Sequence, residues 1–196
     1  MVKRGFDIIF SFAGLLLTAP LFLVLALAIK LESKGPVFYL QTRVGQYNKD
    51  FKIFKFRTMK VDADKKGLLT LGDRDHRVTK VGYFLRKYKL DELPQLVNVF
   101  IGNMSFVGPR PEVRNYVNYY TEEDRVIFNL KPGITDYASI AFRDEAELLK
   151  TATNPEAYYI THILPQKLKL HKKYIVNQSL STDIKIILNT LSAIFK

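Results

Sequence analysis

The sequence predicts an α+β fold, mostly helical, with a Pro-containing N-terminal membrane helix, short β-strands and amphipathic interfacial helices. Three observations predict it. The run "IIFSFAGLLLTAPLFLVLALAI" over residues 8–29 carries no charge. Two stretches, 36–45 and 51–59, are rich in aromatic and β-branched residues. Most of what remains has helical periodicity punctuated by Gly and Pro. The 196 residues divide into a membrane-inserted helix, 1–33, and a membrane-surface domain, 34–196.

A straight helix over 8–29 is about 33 Å long, enough for a bilayer core of roughly 30 Å. Three readings compete. Ala26-Leu27-Ala28 resembles a signal-peptide cleavage site, but the run is long for a signal and Lys30, Lys34 and Arg43 follow closely. A spanning helix is the second reading. A helix broken at Pro20, entering and leaving by one face, is the third. Pro20 removes a helical hydrogen bond near mid-run. Both flanks are basic, Lys3 and Arg4 before and Lys30 and Lys34 after, and cytoplasmic flanks collect such residues.

Next come two strands, "PVFYLQTRVG" and "FKIFKFRTM", joined by "GQYNKD". Alternation puts Lys55 and Arg57 on one face, roughly 7 Å apart. They suit a phosphate clamp, or a solvated edge strand guarded by cations. A polar loop is expected over 65–76, then a helix in "RVTKVGYFLRKY" and another from Asp91 to Ile101. "GNMSFVGPRP" (102–111) is expected to lack regular structure, because Gly and two prolines flank Arg110. A guanidinium on so stiff a backbone suits bidentate phosphate recognition. Thr121 and Asp124 predict a capped helix that "KPGIT" (131–135) ends. Helices are expected near 144–152 and 155–176. In the last segment Ile184, Ile187, Leu188, Leu191 and Phe195 form one stripe, for core packing or for lipid.

Composition narrows the function. Without cysteine there is no disulfide framework and no thiolate metal site. The histidines, His76, His162 and His171, are far apart, form no local metal motif and read as ordinary surface or core residues. Residues 1–90 hold 18 Lys/Arg against 7 Asp/Glu, which accounts for the whole net charge of +11. A basic half around a membrane segment attracts phospholipid headgroups or phosphorylated substrates. Cations alternate with aromatics in only one short strand, so nucleic acid is not an expected partner.

Against that charge stands "RKYKLDELPQLVNV" (86–99). Adjacent helical residues point about 100° apart, so Asp91 and Glu92 do not face each other as an acid/base pair. The structural explanation is an N-cap, Asp91, and a first-turn acid, Glu92. The chemical explanation uses the cations Lys55, Arg57, Arg86 and Arg110. Carboxylates among cations stay ionised. An ionised Asp attacks phosphorus, a neighbouring Glu holds Mg²⁺ against a diphosphate, and Arg and Lys stabilise the transferring phosphoryl group.

The blocks "LRKYKLDELPQLVNVFIGNMSFVGPRP", "GPVFYLQTRVG", "FKIFKFRTM", "DHRVTKVGYFLRK" and "KPGIT", behind a Pro-containing apolar segment, resemble the bacterial sugar transferase family. These are small monotopic phosphoglycosyl transferases, and the likeness runs from about residue 3 to 145. The resemblance implies transfer of sugar-1-phosphate from a UDP-sugar to undecaprenyl phosphate, with UMP leaving by a ping-pong mechanism, as the first membrane step of surface-glycan biosynthesis. It implies Asp91 as nucleophile and Mg²⁺ at Asp91 and Glu92. Lys55, Arg86 and Arg110 match phosphate-contact positions, and Pro20 matches the break of a re-entrant helix. The location implied is the bacterial inner membrane, with the catalytic domain on the cytoplasmic face. A homodimer is compatible with this reading. Two stretches depart from the commoner pattern: Ala19 stands where Ser often precedes the proline, and "DYASIAFRDE" stands where many members have Gly-Trp-type residues and a Gln. The sugar is therefore left unnamed. Two alternatives remain: a membrane-bound Mg²⁺-dependent nucleotide-sugar pyrophosphatase, and a non-enzymatic basic membrane-anchored module.

Overall fold

The computed structural model describes residues 2–63 and 75–194, with side chains to 193. Phe195 and most of the loop expected over 65–76 lie outside them. The chain is mostly helical with short strands, as its pattern predicts. Helix α1 (Val2–Glu32) is long and apolar enough to cross a membrane. Helical hydrogen bonding is assigned continuously through Pro20. The imino acid withholds only its own N–H from the ladder, so the expected break does not divide α1 into two elements.

Strands β1 (Phe38–Val44) and β2 (Asp50–Phe56) pair antiparallel, Tyr39 opposite Lys55. Tyr47 and Asn48 take positive φ in the short turn between them. Helices α2 (Lys80–Lys87) and α3 (Gln95–Ile101) follow, joined through a 3₁₀ turn, Leu90–Glu92. Thr79 caps α2 by accepting from Gly82 N.

The sequence expectation fails at 102–111. Ser105–Val107 forms β3, parallel to β4 (Gly133–Thr135) within "KPGIT". Three-residue strands are too short for periodicity to announce, and the glycines that argued against structure are what bring this pair together. A Cβ on Gly108 would lie 2.3 Å from Lys131 O, and one on Gly133 would lie 2.1 Å from Gly108 N. The two backbones cross too closely for any side chain at either position.

Next come α4 (Arg114–Val117), then a 3₁₀ helix, Glu122–Asn129, with the expected Thr121–Asp124 capping box. The rest is α5 (Tyr137–Ala141), α6 (Glu145–Thr151), α7 (Pro155–Tyr158), a π-turn at Tyr159–Ile163, α8 (Leu164–Val176) and α9 (Leu180–Ile194). The largest apolar cluster gathers Tyr116, Ile127, Leu149, Tyr159, Ile163 and Leu168. On α9, Ile186 is buried, whereas Ile184, Leu188 and Leu191 face outward.

Helix α1 is tied to the globular part at both ends. Lys3 Nζ donates to Val107 O at 3.0 Å and pairs with Asp183 of α9. Arg4 donates to Val99 O and Phe100 O at 2.7 and 2.8 Å, where its charge meets the negative end of α3. Asp7 accepts from Ser105 Oγ and Phe106 N. At the far end, Leu25 and Ile29 pack on Phe56 and Leu85, and Glu32 accepts from Val81 N at 3.1 Å. Between these ties, Phe10, Phe12, Leu16, Leu17, Leu23, Val24 and Leu27 remain exposed. An apolar face this large is unusual for a chain surrounded by water.

Candidate active site

Three backbone devices bring the site together. Alternation along β2 aims Lys55 inward. Gly82 lets α2 touch the strand exit: a Cβ there would lie 2.0 Å from Thr58 O. One turn later Arg86 Nε donates to Thr58 Oγ1 at 2.9 Å. Lys89 adopts the left-handed conformation at φ 54° and turns the chain sharply from α2 into Leu90–Glu92. Asn98 then clamps α3 to β2, accepting from Phe54 N at 2.9 Å and donating to Lys52 O at 2.7 Å.

Glu92 and its cations converge. Lys55 Nζ donates to Glu92 Oε1 at 2.9 Å. Arg110 Nη1 donates to Oε2 at 3.2 Å, and its Nη2 also pairs with Oε1. Asp91 is different. Its residue is 8% exposed, no side-chain hydrogen bond caps its turn, and Oδ1 is buried with no hydrogen-bond partner among the described residues. The N-cap explanation of Asp91 therefore has no hydrogen bond behind it.

The two carboxylates titrate in opposite directions. Burial pushes Asp91 up, and the adjacent Glu92 adds to the rise; Lys55, Arg86 and Lys89 pull against it. Burial acts on Glu92 too, but Arg110 and Lys55 outweigh it and hold Glu92 well below the usual carboxylate range. The expectation that cations keep both acids ionised thus holds for Glu92 and is offset at Asp91 by desolvation. Burial also lowers Lys55, partly compensated by Glu92, and lowers Arg86, partly compensated by Asp91. Glu92 raises Arg110, outweighing the burial that opposes it.

Of the residues singled out in the sequence, Lys55, Asp91, Glu92 and Arg110 come together, with Arg86 close enough to be felt by Asp91. Arg57 stands apart. It lies past the end of β2, is 6% exposed, and donates to Ile29 O, Ser33 O and Lys34 O at the C-terminus of α1. Among the described residues no cluster of three or more metal-ligating side chains occurs. Mg²⁺ is nonetheless held in many phosphate-handling sites by one or two carboxylates plus substrate oxygens. Asp91, with its unpartnered oxygen, and Glu92 fit that use.

The model of the bacterial sugar transferases matches residues 1–196. The chain belongs to the bacterial sugar transferase family. Several curated proteins are similar along nearly all of it. The UDP-N-acetylgalactosamine-undecaprenyl-phosphate N-acetylgalactosaminephosphotransferase of Aeromonas hydrophila is 38% identical over 196 residues, covering 98% of this chain and 43% of its own length. The UDP-glucose:undecaprenyl-phosphate glucose-1-phosphate transferase of Escherichia coli strain K12 is 39% identical, covering 97% and 39%. An uncharacterized sugar transferase of Bacillus subtilis strain 168, EpsL, is 37% identical, covering 97% and 86%. The chain thus spans less than half the length of the first two relatives.

Sequence reasoning missed the roles of four residues beside this site. Asn98 and Thr58 hold its elements in place, as above. Asp136 is wholly buried behind Arg110, and His171, read from sequence as ordinary, contacts it. No spacing announces a pair 35 positions apart.

Proposed function

We propose that the chain transfers sugar-1-phosphate from a UDP-sugar to undecaprenyl phosphate, giving undecaprenyl-diphosphate-sugar and UMP. The observation that carries this reading is the asymmetry of the acidic pair. Glu92 has both oxygens engaged by cations, while Asp91 has a raised pKa and keeps an oxygen without a hydrogen bond among the described residues. A carboxylate so placed is the more basic of the two, and so the better nucleophile once ionised. Family membership and the named activities of the relatives agree with it.

In this mechanism an Asp91 oxygen attacks the sugar-bearing phosphorus of the donor. The bond from that phosphorus to the bridging oxygen breaks, and the oxygen leaves with UMP. An oxygen of undecaprenyl phosphate then attacks the same phosphorus and releases the Asp91 carboxylate. Arg110, Lys55 and Arg86 bind the diphosphate and stabilise charge on the transferring group. Arg110 and Lys55 exchange part of their pairing with Glu92 for substrate oxygens as they do so. Mg²⁺, held by Asp91 and Glu92, would shield the donor's negative charge. Arg57 serves this site by holding the end of α1 against the strand that carries Lys55.

Membrane attachment follows from α1. Both its ends bond to the same globular body, which supports insertion from one face, with the domain on the cytoplasmic surface of the inner membrane. A helix crossing the bilayer would carry one end about 30 Å away.

The deciding experiment is intact mass after incubation with Mg²⁺ and a panel of UDP-sugars, without lipid acceptor. The expected result is a gain of one sugar phosphate, discharged by polyprenol phosphate and absent in Asp91→Asn. UMP release that ignores polyprenol phosphate would overturn the reading in favour of hydrolysis.

A further inference from the structure

Arg110 lies between Pro109 and Pro111, neither of which has an N–H. Its own amide is therefore the only backbone donor in that stretch. Asp136 takes it: Oδ2 accepts from Arg110 N at 3.4 Å. The other oxygen, Oδ1, accepts from Ser139 N at 2.7 Å and caps α5. Asp136 is 0% exposed and sits directly after β4, whose Ile134 O accepts from Arg110 Nη1 at 3.4 Å. From α8, His171 brings Nε2 to 2.9 Å from Asp136 Oδ2. His171 is 3% exposed, and neither ring nitrogen makes an aligned hydrogen bond among the described residues. The imidazole stands against the carboxylate that accepts the backbone amide of the arginine loop.

We propose that His171 is a positioning residue for Arg110: its ring fixes the Asp136 carboxylate that anchors the Pro109–Arg110–Pro111 backbone, and so sets where the guanidinium meets the donor phosphates. Asp136 opens the "DYAS" stretch, where the sequence leaves the commoner family pattern, so the device belongs to this chain's own version of the site. Electrostatics agrees. Burial alone would push Asp136 up, but the His171 contact and the Ser139 amide hold it down at about 2. The groups facing this carboxylate are Arg110 from the loop, His171 from α8 and Ser139 from its own helix. Without the imidazole, burial is opposed by fewer partners, and the Asp136 carboxyl is expected to titrate higher than in wild type.

The catalytic part of this inference rests on the proposed reaction, so its test has one readout that does not. Hydrogen exchange in the full-length protein is followed at the peptide containing Arg110, in wild type, Asp136→Ala, His171→Leu and His171→Gln. Exchange about tenfold faster at Arg110 is expected in His171→Leu, with most protection kept by the hydrogen-bonding Gln. Unchanged exchange in folded His171→Leu overturns the inference, whatever the protein catalyses. If His171→Leu does not fold, unchanged exchange in Asp136→Ala, which leaves Arg110 N without a side-chain acceptor, has the same consequence. In the UMP-release assay with polyprenol phosphate, kcat/KM should fall roughly 10- to 100-fold in His171→Leu. Its acid limb should move upward in pH, and His171→Leu/Asp136→Asn should move it back. A pH profile identical to wild type also overturns the positioning role. An inactive wild type with intact Arg110 protection would count against the reaction alone.

Discussion

Replacing Gly82 by alanine separates helix propensity from packing, because the two predict opposite signs. Gly82 lies inside α2, where Ala should stabilise the helix by about 0.5–1 kcal/mol. The structure predicts the reverse. A Cβ there meets Thr58 O at 2.0 Å and Thr58 C at 2.6 Å. These are backbone atoms and cannot swing aside, so α2 must retreat by about 1.4 Å to reach ordinary contact. Overpacking of this kind costs about 1–3 kcal/mol, and the net loss should lower Tm by roughly 2–6 °C. The retreat would also stretch the Thr79 N–Thr58 O bond of 3.0 Å and carry Arg86 away from Thr58. If Arg86 binds the donor phosphates as proposed, a displacement of about 1 Å there should reduce turnover on the order of 100-fold. Thermal unfolding in nanodiscs and UMP release measure the two effects. Gly5→Ala is the control: nothing lies within 4 Å of its Cβ, so only the propensity gain should appear. A Gly82→Ala protein as stable and active as the Gly5→Ala control would refute the reasoning.

Further perturbations test the acidic pair and the anchor. Asp91→Asn should abolish the covalent adduct yet raise Tm at pH 8. A folded pKa above the unfolded 3.8 makes ionisation oppose folding as pH rises through that window, so the gain should vanish near pH 4. Glu92→Gln should do the opposite. A folded pKa below 4.5 stabilises above that value and is lost as pH falls through the folded pKa, so wild type and variant should converge in acid. At pH 7 the variant leaves Lys55 and Arg110 facing each other without their carboxylate and should lose about 1–3 kcal/mol, read by denaturant unfolding. Arg57→Ala should lower Tm through the lost bonds to the end of α1 while leaving the donor KM of the folded protein within about threefold; a large KM rise with unchanged Tm would instead put Arg57 on the phosphates. Single cysteines at Val2 and Lys34 should react alike with an impermeant maleimide in spheroplasts and in lysed cells. Opposite accessibility of the two ends would sink one-face insertion.

Local chemistry was legible where it is local. The uncharged run announced α1, aromatic and β-branched content announced β1 and β2, and the Thr121–Asp124 capping box formed as its spacing implied. The carboxylates and the cations Lys55 and Arg110 could be picked out as a group because the motifs that carry them resemble those of one family, and the structure brings the four together. What escaped depends on distant partners. Strands β3 and β4 are three residues each and exist only because Gly108 and Gly133 can cross. Arg57 shares a strand parity with Lys55, but tertiary structure turns it to the carbonyls of α1. The raised pKa of Asp91 arises from burial by elements the motif does not contain. Lys3 and Arg4 read as membrane-flanking charges, yet one pairs with Asp183 and the other caps α3.

The double attachment of α1 bears on how the protein is handled in the laboratory. Residues up to Lys34 are usually the first to be trimmed in search of a soluble fragment. Here that cut would strand Asp183 and Tyr174 without the Lys3 ammonium, uncap the end of α3, and bare Phe56 and Leu85 where Leu25 and Ile29 now cover them. Arg57 would lose the carbonyls that hold it two residues from Lys55. The trimmed fragment should therefore aggregate or lose its reactive centre, and biochemistry on this chain belongs in detergent or lipid nanodiscs from the first extraction.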